Sequence, residues 1–431
     1  MQESDEWDPA SQDGTRSRAA PDESGPTTKP LVRPALAAGG GGPRRPSTEV
    51  IHDDGPRRPS PPAAKSPIQS PRWRRPPGGE SRPMTKAAST IPYGVGIRAI
   101  GGYVPSQVVT NADLEERLDT TDAWISEHIG VNTRHWSAPE ERTSDLGAAA
   151  LLDACERAGV SPDSIDLVIC GTFTPDHMLP AAAVAIARKL GLTGVPGFDV
   201  NSGGCPGGTF ALDVGAKYLL SGQYRRIAVV LADTTTKTLD PEDRTVGVIF
   251  GDAAACYLLE PCAPGTGMTP ALLRSDPSAY ETAFIKREQR TWSKDGSDKL
   301  SGFGSNFMHM HGRSVRNFAL DNMPNFVLEL LEHHEMTVED IDLIIFHQAN
   351  YHLIHLLMEK IGLPPERTLT NVERLGNTSG AGVPLVLREA VDTGRVRAGD
   401  TVVLASFGAG MSHGGTVIKW TDDDDFLVSA Q

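Results

Sequence analysis

The pair Ser161-Pro-Asp-Ser-Ile-Asp-Leu-Val-Ile-Cys170 and Thr337-Val-Glu-Asp-Ile-Asp-Leu-Ile-Ile-Phe346 decides the fold. Each opens on a hydroxyl-and-acid turn and runs into a short continuous apolar stretch, the pattern of a strand buried on both faces. The downstream elements are repeated too. The first leads to a helical stretch over 181–190 and Gly191-Leu192, the second to one over 352–361 and Gly362-Leu363. A further strand and bend then lead to Cys205 in one half and to Asn377 in the other. Beyond them, Ser221-Gly-Gln-Tyr-Arg-Arg-Ile-Ala-Val-Val-Leu231 echoes Thr393-Gly-Arg-Val-Arg-Ala-Gly-Asp-Thr-Val-Val-Leu404. Such self-similarity marks an internal duplication. The apolar runs 167–170, 227–231, 343–346 and 402–405 alternate with helices, which predicts an α/β fold of sheets covered by helices. Two like halves packed together bring both sets of strand-end loops to one cleft.

The loop of the first half is Phe198-Asp-Val-Asn-Ser-Gly-Gly-Cys-Pro-Gly-Gly-Thr-Phe-Ala-Leu212. It reads as a short strand, a glycine-crowded bend, one cysteine and the start of a helix. A thiol there faces unpaired amides and the positive end of the helix dipole, which favours thiolate. Gly203, Gly204, Gly207 and Gly208 permit a sharp bend and leave room for a substrate. A lone cysteine is most often a structural core residue; this setting makes Cys205 a candidate nucleophile. In the second half, His347 ends the run Ile341-Asp-Leu-Ile-Ile-Phe346, and Asn377 sits in Leu375-Gly-Asn-Thr-Ser-Gly-Ala-Gly382. Taken singly, such a histidine caps a helix or bonds a carbonyl, and such an asparagine is a turn residue.

About half of the 33 prolines precede Tyr93, with a glycine run at 39–42 and two copies of Gly-Pro-Arg-Arg-Pro-Ser, at 42–47 and 55–60. That composition cannot bury enough surface to fold, so residues 1–91 read as a disordered arm. Met84 opens a second reading, in which it is the true start and the arm is upstream translated sequence; a real flexible extension is the alternative. Through Pro83 there are 13 Lys and Arg against 11 Asp and Glu, which leaves 28 basic and 44 acidic residues beyond it. The formal charge of that remainder, −16, repels phosphates and argues against nucleic acid as a partner. Five cysteines (Cys155, Cys170, Cys205, Cys256 and Cys262) suit a reducing compartment, since Cys155, Cys170 and Cys256 lie in apolar patterns. No run approaches a membrane span and no apolar secretion signal is present, so the expected location is cytoplasmic.

Cys205, His347 and Asn377, in this order, resemble the Cys-His-Asn triad of ketoacyl synthase III in the thiolase superfamily. The resemblance runs from about Gly94 to Trp420. It includes Gly101-Gly-Tyr-Val-Pro105, Thr110-Asn-Ala-Asp-Leu114, Asp122-Ala-Trp-Ile125, Asp240-Pro-Glu-Asp-Arg244, Ile249-Phe-Gly-Asp252 and Phe407-Gly-Ala-Gly410. It implies a thiolase-like duplicated fold with a layered α/β/α/β/α core, and a homodimer. The halves are expected at 92–268, carrying Cys205, and 269–420, carrying His347 and Asn377, with an acidic tail at 421–431 that includes four aspartates. It implies that Cys205 takes an acyl group from coenzyme A or an acyl carrier protein. A malonyl thioester then loses carbon dioxide, and its carbanion attacks the stored acyl carbonyl. His347 and Asn377 would donate to the enolate oxygen, and the backbone amides of Cys205 and Ala409 to the second oxyanion. No cofactor or metal is expected; His309 and His311 have strand-like spacing but no evident carboxylate or thiol partner.

Several residues depart from the family pattern. Trp124 matches a tryptophan that stacks on the adenine of coenzyme A and Arg244 an arginine beside it, but His128 replaces an arginine. His352 replaces a carrier-docking arginine, and Glu359 one of two lysines, leaving Lys360. Fewer fixed positive charges weaken contact with a phosphate or an acidic carrier, while the basic stretch 286–299, with Arg287, Arg290 and Lys294, offers another surface. Leu179 stands where a phenylalanine often crosses the dimer to limit chain length, which suggests a bulkier acyl group. Cys-Pro-Gly-Gly-Thr faintly resembles hydroxymethylglutaryl-coenzyme A synthase. These differences point to polyketide or other specialised metabolism. An acyltransferase to an alcohol or amine, and a non-catalytic dimer partner, are the other readings.

Overall fold

The apolar runs form strands, and the two sheets they build follow one plan. The computed structural model describes residues 93–201, 204–286, 289–291, 299–301 and 307–428. The arm at 1–91 with Met84, Gly203, and Arg287 and Lys294 of the basic stretch lie outside the described residues. The first half holds β1 (Gly94–Tyr103), α1 (Thr143–Ala158), β2 (Leu167–Gly171), α2 (Ala182–Lys189), β3 (Gly197–Val200), α3 (Gly207–Leu220), β4 (Ile227–Asp233) and β5 (Ala253–Cys262). Strand β2 pairs in parallel with β3 and β4, whereas β5 lies antiparallel between β4 and β1.

The second half holds β6 (Gly267–Met268), β7 (Leu272–Arg274), α4 (Gly312–His333), β8 (Leu343–Phe346), α5 (Tyr351–Ile361), α6 (Gly382–Asp392), β9 (Thr401–Phe407) and β10 (His413–Lys419). Here β8 and β9 are parallel and β10 is antiparallel to β9, so β8, β9 and β10 repeat β2, β4 and β5. Strands β6 and β7 both pair with β10. The second sheet therefore takes strands from as early as Gly267, ahead of the boundary expected at 268/269.

Helix α3 has buried residues around most of its girth, from Gly207, Gly208 and Thr209 through Leu212 and Asp213 to Leu219. A helix buried on all sides until its last turn, where Lys217 and Tyr218 are exposed, belongs between layers. Its Ala211 and Leu212 share one cluster with Ile169 and Val229 of the first sheet, Val386 of α6, and Ile345 and Leu404 of the second. Helices α1 and α2 pack on the other face of the first sheet, and α4 and α5 on that of the second. These are the α/β/α/β/α layers, and each fully buried leucine or isoleucine in them contributes about 1.5–3 kcal/mol. Among the described residues no helix is long and apolar enough to cross a membrane.

Where the halves meet, the backbone leaves no space. A Cβ on Gly208 would stand 2.9 Å from the Gly380 carbonyl oxygen, so the cysteine-bearing helix lies directly on the loop of the other half. One part of the duplication differs from expectation. Asn377 is approached through a short helix, Val372–Leu375, rather than a strand. The buried Gln348 side chain accepts from the amides of Asn371 (3.0 Å) and Val372 (3.3 Å), and the Thr368 hydroxyl donates to the Ile344 carbonyl (2.7 Å). Side chains thus bind the backbone groups that a ladder would have used.

Candidate active site

Cys205 lies between β3 and α3, with Pro206 at the helix cap. Gly204 before it takes φ +73°, a left-handed turn that suits glycine, and a Cβ there would stand 3.1 Å from Phe173 and 3.4 Å from the Ser379 hydroxyl. Asn377 is clamped by its backbone: its amide donates to Ile249 (2.9 Å) and its carbonyl accepts from Gly251 (3.1 Å). The side chain then reaches across the junction of the halves, with Oδ1 3.9 Å and Nδ2 4.0 Å from the Cys205 sulfur. Oδ1 accepts from the Ser379 amide at 2.9 Å, which fixes the orientation of the amide and leaves Nδ2 as the donor toward the sulfur side.

His347 follows β8, and its amide donates to Ala405 of β9 at 2.8 Å. The ring is buried, sits edge-on to Phe407 with centroids 5.5 Å apart, and leaves Nδ1 without a hydrogen-bond partner among the described residues. Burial pushes its pKa down to about 3, so the imidazole is neutral. The crevice beside Cys205 is lined by Thr209 and Leu212 of α3, Gly380 and Val383 of the other half, and Leu404 and Ser406 of β9. Hydroxyls of Thr209 and Ser406 bond to each other, tying α3 to the strand that leads into the Ala409 turn. In that turn Gly410 and Met411 adopt φ of +69° and +44°.

One electrostatic expectation is corrected. Burial pushes the Cys205 thiol up to about 12, and the charge of Asp233 acts in the same direction; Asn377, Ser379 and the backbone amide pull only partly against them. A helix terminus supplies at most about 2 kcal/mol, and each pKa step is worth about 1.4 kcal/mol. Desolvation and the Asp233 charge thus work against the helix dipole at this half-buried thiol. Asp233 and Ser379, both in this environment, went unnoticed in the sequence. The available signal was an acid closing the buried run of β4, before three threonines.

Trp124 and Arg244 form a separate cluster. The Arg244 guanidinium lies 5.7 Å from the Trp124 ring centre, and His128 stacks on the same indole at 4.8 Å with planes 13° apart. His128 Nδ1 is 2.9 Å from the Trp124 carbonyl oxygen, and His352 Nε2 is 3.0 Å from that of Ser126. Glu359 and Lys360 are exposed at the end of α5. Leu179 is 83% exposed and is not among the residues lining the crevice. His309 stacks on Phe284, and among the described residues no group of three or more His, Cys, Asp or Glu is placed to hold a metal.

Two halves of one plan, with a cysteine and an asparagine meeting at their seam, define the thiolase-like class of fold. Residues 198–277 match the family model for 3-oxoacyl-[acyl-carrier-protein] synthase III, and residues 331–420 match the model for its C-terminal part. The chain is 36% identical over 326 residues to the beta-ketoacyl-[acyl-carrier-protein] synthase III of Symbiobacterium thermophilum, covering 76% of this chain and 98% of that protein. The corresponding protein of Deinococcus deserti is 35% identical, with 78% and 93% covered. Among solved structures, the synthase III of Thermus thermophilus matches with a TM-score of 0.70 and 37% identity, covering 75% of this chain and 99% of that one. The priming beta-ketosynthase of the R1128 polyketide pathway matches at 0.68 and 30%, covering 77% and 97%. The chain belongs to the ketoacyl synthase III family of the thiolase superfamily, whose members are acyl-transferring condensing enzymes.

Proposed function

We propose that this protein stores an acyl group on Cys205 and condenses it with a malonyl thioester, releasing carbon dioxide. The approach of Asn377 to the Cys205 sulfur across the seam carries this reading. The thiol attacks an acyl thioester of coenzyme A or a carrier protein and displaces the carrier thiol. Decarboxylation of the malonyl group then builds charge on its thioester oxygen. Asn377 Nδ2 and the neutral His347 imidazole are suited to donate to that oxygen, because a neutral ring keeps one N–H and carries no charge. The amides of Cys205 and Ala409 serve the oxyanion formed at the acyl carbonyl. Transfer to an alcohol or amine would leave Asn377 without an enolate to stabilise, so its position favours condensation.

Trp124, His128 and Arg244 offer a stacking and cationic platform for a nucleotide-bearing carrier. Exposed Met178 and Leu179 support a second copy covering that face as a homodimer, with Leu179 facing the partner's acyl chain. Similarity to a priming ketosynthase of a polyketide pathway, together with His128 and His352, supports a role in specialised metabolism in the cytoplasm. The test is mass spectrometry of products from acyl thioesters and malonyl-loaded carrier. A β-ketoacyl product that disappears in Cys205→Ala is expected. Acylation of the Cys205→Ala protein to the wild-type level would overturn the nucleophile assignment.

A further inference from the structure

The turn at 408–412 joins β9 to β10, and Phe407 and His413 are the pair that closes this hairpin. Both ends of the turn touch the helix that carries Cys205. Before it, the Ser406 hydroxyl bonds to the hydroxyl of Thr209, in the first turn of α3. After it, a Cβ on Gly414 would stand 3.2 Å from the Thr209 methyl group. Within the turn, Gly410 and Met411 both have positive φ, but only Met411 carries a side chain that disfavours it. Such a conformation persists where its surroundings hold it.

His413 supplies that hold. Its Nδ1 lies 3.0 Å from the Met411 carbonyl oxygen. A carbonyl only accepts, so Nδ1 carries the hydrogen. The ring is fixed in its turn by two rings of α4, edge-on to Phe326 with centroids 5.0 Å apart and to Phe318 at 5.4 Å. The backbone adds a bond from the Gly408 amide to the Ser412 carbonyl (2.9 Å) and a longer one from the Ser412 amide to the Ala409 carbonyl (3.4 Å). Between Ala409 and the clamped Met411 stands Gly410, and glycine takes either sign of φ with equal ease. The direction of the Ala409 peptide therefore depends on the grip at Met411.

We propose that His413 is a positioning residue for acyl transfer, holding the Met411 carbonyl so that the turn presents the Ala409 amide to the acyl carbonyl at Cys205. The inference rests on the reading of Cys205 as the nucleophile and of the Ala409 amide as a donor to its oxyanion. The two stages of the reaction then respond differently to its loss. The oxyanion at the acyl carbonyl needs the turn, whereas decarboxylation draws on Asn377 and His347. A merely structural role would affect both stages, because His413 pairs with Phe407, whose ring packs edge-on to His347.

The test uses the full-length protein and two rates. One is acylation of Cys205 by the fastest of acetyl-, hexanoyl- and dodecanoyl-coenzyme A, read by rapid-quench mass spectrometry. The other is release of carbon dioxide from malonyl-coenzyme A without an acyl primer. His413→Phe keeps a ring between Phe318 and Phe326 but has no donor. Its acylation should slow by about 100-fold, the scale of one lost or misplaced oxyanion donor, while carbon dioxide release stays within about threefold. His413→Asn keeps a donor near the place of Nδ1 and should acylate within about tenfold of wild type, whereas His413→Leu, of the same shape, should match His413→Phe. The Asn and Leu pair decides the matter if His413→Phe does not fold. Wild-type acylation in both the Phe and Leu variants, equal slowing of the two rates, or an Asn variant as slow as Leu would each overturn the proposal. A wild-type protein that none of the thioesters acylates overturns the underlying reading and the inference with it, so the two failures are told apart by which protein fails.

Discussion

Asn377 reaches the sulfur with one amide atom already engaged, because its Oδ1 serves the Ser379 amide. Removing the side chain takes away a donor together with only weak contacts to the thiol. In Asn377→Ala, acylation of Cys205 should remain within about threefold of wild type, while loss of carbon dioxide from the malonyl thioester slows by about 100-fold, the usual effect of deleting one oxyanion donor. Rapid-quench mass spectrometry reads both steps separately. Equal slowing of the two would show that the residue merely holds the loop. At this scale the sequence exposed the polar residues that sit on loops after apolar runs: Cys205, His347 and Asn377 each interrupt a pattern. Asp233 escaped because an acid at a strand end reads as solvated. Its partners Thr172 and Thr174 are brought to it by tertiary contact, and no local spacing announces them. The forces on the thiol are legible only in part for a related reason, since the helix start is local and visible while desolvation comes from packing that no local stretch shows.

The elements around the seam tolerate no added atoms. Gly208→Val would put a Cβ 2.9 Å from a backbone oxygen that cannot rotate away, and β-branching adds bulk beyond it. The expected loss is about 1–3 kcal/mol, measured as a lower denaturation midpoint, together with loss of condensation as α3 shifts Cys205 away from Asn377. Wild-type stability would mean that the two halves part there without cost. Gln348 is a second element-scale control. Gln348→Leu keeps the volume but strands the amides of Asn371 and Val372, at about 1–3 kcal/mol for each amide left unpaired. The strands were legible because sheets buried on both faces demand continuous apolar runs; β8 matches its run at 343–346 residue for residue. The approach to Asn377 was not, because one glutamine side chain replaces a ladder there. Two-residue β6 was equally invisible, since its pairing with β10 owes little to its own pattern.

For the molecule as a whole, the buried His347 and Asp233 make stability depend on pH in opposite directions. His347 has a folded pKa near 3 against about 6.5 for an exposed histidine. Between those values the unfolded chain binds the extra proton, so this contribution is complete above pH 6.5 and is lost as the pH falls. Asp233 is raised to about 6 in the folded state from an ordinary 3.8. Between these values the folded state binds the extra proton, so its contribution is complete below pH 3.8 and is lost as the pH rises through 6. Each slope is about 1.4 kcal/mol per pH unit, and from pH 4 to 6 they nearly cancel. Replacing one residue uncovers the other. Relative to wild type, Asp233→Asn should lose about 1.4 kcal/mol for each unit that the pH is lowered from 6 to 4, whereas His347→Asn should gain by a similar amount. Urea unfolding of the three proteins across that range, taken as differences so that other groups drop out, measures both slopes. Parallel stability curves would mean that neither group changes its proton affinity on folding. The neutral imidazole, on which the proposed donor role of His347 depends, would then be absent, and so would the raised carboxylate.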